Sequence, residues 1–109
     1  MNDELKSLVA DAAKLLGLEL IWDGVCPPYF QTEIGLIMFN PLDPERGDLM
    51  KVAMAAELTV DFEFYTVTLP VKDTDCFPEE FDWIKGDHQS LAIAILRAAS
   101  AVLHSRGGV

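Results

Sequence analysis

The spacing of apolar residues changes several times along the chain, and each change marks a new element. Leu5, Leu8, Val9, Ala12, Leu15 and Leu16 recur at three- and four-residue intervals, which predicts a helix over residues 2–16. Asn2 suits its N-cap, Asp3 and Glu4 its first turn, and Gly17 its end. Residues 18–22 read as a strand closed by the turn pair Asp23-Gly24. Val25-Cys26-Pro27-Pro28-Tyr29-Phe30 is a stiff connector, since Pro28 holds its neighbour Pro27 extended. The apolar run over residues 34–39, with Gly35 inside, is assigned to a strand.

A second helix is expected to open at Pro44 or Gly47 and to run to about Glu57, with Leu49, Val52, Ala53 and Ala56 as its apolar stripe and Met50 and Met54 beside it. Thr59-Val60-Asp61-Phe62-Glu63-Phe64 alternates between apolar and polar residues, the pattern of a half-buried strand. After Tyr65 the phase shifts to Val67, Leu69 and Val71, which predicts a bulge or a tight hairpin near Tyr65, the hairpin being the favoured reading. Residues 72–86 lose periodicity altogether. Residues 87–106 form a long alanine-rich helix in pattern, its wide apolar face ending at Gly107-Gly108.

The resulting order is α-β-β-α-β-β-α. It predicts an α+β fold: a small, mostly antiparallel sheet of about four strands covered by three helices. At 109 residues the chain has length for one domain, and 50% hydrophobic composition is enough to build its core.

Eighteen acids against eight bases give a formal net charge of −10. That excess repels nucleic-acid phosphate and anionic membrane surfaces, so direct DNA or RNA binding and membrane association are not expected. It suits a partner with a basic surface, and it also serves solubility alone. The acidic opening Met1-Asn2-Asp3-Glu4 lacks the basic and apolar regions of a secretion signal, and no apolar run is long enough to cross a bilayer. A cytoplasmic protein is expected, with Cys26 and Cys76 as free thiols rather than a disulfide or metal ligands.

Candidate chemistry is sparse. The motifs of the common hydrolases, metalloproteases and nucleotide-binding loops are missing, and the serines at 7, 90, 100 and 105 have no activating context. His88 stands at a helix start as a capping or surface residue, and His104 complements the dipole at a helix end. In the stretch FNPLDPERGDL, Asp43, Glu45 and Asp48 suit a helix N-terminus, with Asp43-Pro44 read as N-cap and N1. Asp73 and Asp75 lack the spacing of a calcium loop. No catalytic residue, cofactor or metal is assigned.

The acidic, aromatic segment after Lys72 carries the main expectation. Asp73, Asp75, Phe77, Glu79, Glu80, Phe81, Asp82 and Trp83 combine aromatic anchors with acids able to steer a basic partner. Phe77, Phe81 and Ile84 would share a face if the segment is helical. The competing reading has the aromatics plugging the sheet's open end and the acids facing water. An alternative ligand site would use Asn40, Arg46 and Arg97, with Arg46 near a helix start where anions bind. The alanine-rich last helix suits a homodimer interface and a buried intramolecular crossing equally.

Phe39-Asn40-Pro41-Leu42, the helix start Gly47-Asp48-Leu49, Leu58-Thr59-Val60-Asp61 and Ala94-Ile95-Leu96-Arg97-Ala98-Ala99 together resemble short motifs of small bacteriophage and prophage proteins, similar to the phage ABA sandwich domain family. The likeness covers roughly residues 36–106. The chain departs from it in Phe39, where tryptophan is common, in Pro-Glu-Arg before Gly47, and in the acidic loop. The resemblance implies phage origin and an α/β sandwich, and carries over no catalytic residue. The expected function is a non-enzymatic accessory protein that binds and inhibits a host macromolecule, for example a nucleic-acid-binding defence complex of the restriction or CRISPR kind, by acidic mimicry. The alternative is a pocket protein that sequesters a signalling nucleotide.

Overall fold

In the computed structural model, residues 3–22, 28–70 and 80–106 are described. The order is α1 (Asp3–Leu15), β1 (Leu20–Ile21), β2 (Tyr29–Thr32), β3 (Gly35–Met38), α2 (Asp48–Ala55), β4 (Thr59–Asp61), β5 (Thr66–Thr68), β6 (Glu80–Asp82) and α3 (His88–Arg106). The α+β class and the positions of the three helices agree with the sequence pattern. The described strands number six and form two antiparallel three-stranded meanders, β1-β2-β3 and β4-β5-β6.

Where a single sheet of about four strands is expected, each of the two sheets holds two of the expected strands and one further strand. In the first sheet the addition is β2. Tyr29 and Phe30 leave the proline connector directly into the ladder, pairing with Met38 and Ile37 on β3 and with Ile21 and Leu20 on β1. Glu33 and Ile34 form the tight turn between β2 and β3. It is held by Thr32 Oγ1, which donates to Gly35 O at 2.8 Å. The register alternates Leu20, Phe30 and Ile37 onto one face, and Leu20 and Phe30 pack against the core. In the second sheet the addition is β6, drawn from the segment expected to be irregular or helical. Strand geometry puts Glu80 and Asp82 on one face and Phe81 on the other, so the helical face proposed for Phe81 and Ile84 does not form.

The hairpin at Tyr65 is present, but β4 stops at Asp61. Asp61 Oδ1 accepts the N–H groups of Glu63 at 2.8 Å and Phe64 at 3.0 Å, capping a turn over residues 62–65 in which Tyr65 takes a left-handed φ of 54°. Phe62 and Phe64 therefore sit in a turn and face solvent instead of filling a strand face.

All three helices contact one another and share one core with Phe39 and Val67. α3 is its axis: Ala92, Ala94, Ile95, Leu96, Ala98, Ala99 and Val102 are buried. Alanines let α3 approach α1 closely, so the alanine face serves a crossing within the chain. α1 and α2 end in the same way. Leu18 N–H donates to Ala13 O and Gly17 N–H to Lys14 O, while Leu58 N–H donates to Ala53 O and Glu57 N–H to Met54 O. Both are Schellman closures, which need a left-handed residue after the helix. Gly17 supplies it at φ 72° and Glu57 at 56°. Among the described residues no helix is long and apolar enough to cross a membrane.

Candidate binding surface

The stretch FNPLDPERGDL is built as two turns in series followed by a helix. Asn40 Oδ1 accepts Leu42 N–H at 3.2 Å and Asp43 Oδ1 accepts Glu45 N–H at 2.9 Å, each asparagine or aspartate preceding a proline that presets the turn. Asp43 and Pro44 thus close a turn and do not open α2; the helix N-cap is Gly47. Asp48, in the first turn of α2, bends its carboxylate back. Its Oδ2 accepts Asn40 N–H at 2.9 Å and Arg46 Nε at 2.8 Å, and Arg46 also donates through its terminal nitrogen to Met38 O. The stretch is a staple tying the end of β3 to the start of α2.

This geometry bears on the alternative ligand site. Arg46 directs two donors into the staple, and the Asn40 side chain holds its own turn. Arg97 lies on α3, where it donates to Glu4 Oε1 of α1 at 3.0 Å. Among the described residues, two clefts lined by Arg97 include neither Asn40 nor Arg46.

A second polar cluster joins α1 to α3. Buried Asp11 accepts Ser100 Oγ at 2.6 Å, and His104 Nε2 lies 3.3 Å from the same oxygen. The serine hydroxyl points at the aspartate and not at the imidazole, so these three residues are not wired as a nucleophile and base. His104 gains a carboxylate partner beyond the helix dipole. At the other end of α3, Asp87 is the cap, accepting Gln89 N–H at 3.1 Å and Ser90 N–H at 3.3 Å. His88 follows that cap half-buried, its Nε2 without a partner among the described residues. No group of three His, Cys, Asp or Glu able to hold a metal ion occurs among the described residues.

The expected partner-binding segment divides. Asp73, Asp75, Phe77 and Glu79 lie outside the described residues, as do Cys26 and Cys76. Phe81 turns inward and packs on the core. Glu80 and Asp82 are exposed on β6. Trp83 leaves β6 at the end nearest the β4–β5 turn, where its ring meets Phe62 edge-on at 5.4 Å and Tyr65 at 5.0 Å. That contact props up the tip of the hairpin expected near Tyr65. Phe62 is 62% exposed, Phe64 72% and Ile84 66%, with Asp61 and Glu63 interleaved. Alternation alone assigned both phenylalanines to a strand; the available signal was Asp61, a residue that caps turns through its own side chain.

Alongside β6 runs an open cleft of about 430 Å³ between the strand and α3, lined by Glu80, Phe81, Asp82, Ile84, Ser90, Ile93, Ala94 and Arg97. Ser90 Oγ closes one end by accepting Ile84 N–H at 2.6 Å. Trp83, which touches the tip, is followed directly by Ile84 of the cleft lining. No family model, curated protein or solved structure matches this chain.

Proposed function

We propose that this chain is a non-enzymatic accessory protein of bacteriophage type that binds and inhibits a host macromolecule with a basic surface, such as a nucleic-acid-binding defence complex. The observation that carries the reading is the β4–β5 tip, where Phe62 and Phe64 stand in solvent between Asp61 and Glu63. Exposed aromatics gain most from burial against a partner, and a rigid turn costs little entropy to present them. Acids between them, on a chain of net charge −10, steer a basic partner and repel nucleic acid itself.

Immobilised protein should retain a bacterial protein from lysate at low salt and release it as salt rises. A Phe62→Ser/Phe64→Ser variant should lose that protein while keeping a native circular dichroism spectrum. Phe64 makes little contact within the chain, and the Phe62–Trp83 pair contributes only about 0.5–1.5 kcal/mol. Identical retention by both proteins, or retention indifferent to salt, refutes the reading.

A further inference from the structure

β6 is an edge strand, and its hydrogen-bonding alternation can be fixed. Trp83 N–H donates to Tyr65 O at 3.0 Å, which continues the register Asp82 to Thr66 by one residue. In an antiparallel ladder such bonded pairs alternate, so Phe81 bonds Val67 while Glu80 and Asp82 turn their N–H and C=O groups to the outer edge. Among the described residues no strand pairs with that edge. The cleft beside it has an apolar floor of Ile93 and Ala94 on α3.

We propose that this edge takes an extended, lysine- or arginine-bearing segment of a partner protein as an additional strand. The inference rests on the binding reading above and names the chemistry of the partner. Main-chain bonds to Glu80 and Asp82 supply affinity, and alternate side chains of the segment enter the cleft. Charge selects the occupant. Among the described residues Glu80 and Asp82 line the cleft with one cation, Arg97, and Arg97 is already paired with Glu4. Beyond Ile84, Lys85 and Asp87 offset each other. A second copy of the chain pairing through β6 would set Glu80 and Asp82 against the same acids, which is unfavourable for directly opposed like charges. A basic segment meets the opposite sign.

A short synthetic peptide alternating lysine and valine is the probe, followed by amide chemical shifts and fluorescence anisotropy on the full chain at low salt. Shifts should centre on residues 80–84 and 90–97. Methylating every second peptide nitrogen should weaken binding at least about tenfold, the scale of losing one or two backbone hydrogen bonds. A glutamate–valine peptide should not bind. Asp82→Asn should weaken binding modestly and flatten its salt dependence. Asp82→Pro should abolish it, because proline is tolerated at an outward-facing edge position but blocks the donor. Equal binding of the methylated peptide, or no binding of the parent peptide, overturns the edge proposal; the methylated form tests it even if Asp82→Pro fails to fold. Shifts confined to Phe62 and Phe64 would overturn it while leaving the broader binding reading intact.

Discussion

Asp48 shows how one residue can look like a functional carboxylate and act as structure. It is only 6% exposed, and a bare carboxylate would not be tolerated there. Two donors from the same loop make it stable: Asn40 N–H, which no strand or helix partner uses, and the Arg46 guanidinium. Asp48→Ala removes the acceptor and leaves two part-buried donors without it. The expected loss is about 2 kcal/mol, the cost of stranding part-buried polar groups. Urea denaturation should show it as a lower midpoint at unchanged slope. Asp48→Asn keeps an acceptor oxygen and should lose less. Equal stability of Asp48→Ala and the parent chain would mean that the staple contributes nothing net.

At the level of elements, the two Schellman closures form a natural experiment. α1 ends on Gly17, for which a left-handed backbone is easy, whereas α2 ends on Glu57, whose Cβ crowds the following carbonyl. Gly17→Ala should therefore lower stability by about 0.5–1 kcal/mol, seen as a fall of a few degrees in the thermal midpoint. These ends were legible in part: Gly17 advertised itself, and Glu57 was placed by the periodicity stopping. Strand limits were less legible. β2 follows two prolines and contains Gln31 and Thr32, too short and polar for its alternation to stand out. β4 was overextended because Phe62 and Phe64 keep alternating after Asp61 has turned the chain. Of the candidate surface, the acids Glu80 and Asp82 were legible, as was the aromatic character of Trp83. The pairing of Trp83 with Phe62 and Tyr65 was not, since it depends on β6 folding back along β5. Nor was the link of Asp11 to His104, two residues at opposite ends of the chain.

Across the whole molecule the net charge of −10 sets two effects of salt against each other. Acids are spread over every part of the chain: Asp3, Glu4, Glu19, Glu33, Glu45, Glu63 and Asp87 are all exposed. Compaction brings them closer than in the unfolded state, so the native fold carries self-repulsion. The compensating attraction is local: Arg46–Asp48 is largely shielded from solvent and keeps its strength, whereas the Arg97–Glu4 pair is half in solvent and such pairs contribute little. Raising ionic strength from about 10 mM to about 150 mM shortens the screening length from roughly 30 Å to roughly 8 Å, which weakens the dispersed repulsion most. The thermal midpoint should accordingly rise with sodium chloride by a few degrees, and an equal concentration of a neutral osmolyte of low stabilising power should not reproduce it. A midpoint that falls would mean that local ion pairs outweigh the dispersed repulsion. The same screening should weaken capture of a basic partner. Stability rising while association falls, over one salt series, separates loss of a binding surface's steering from loss of the fold that presents it.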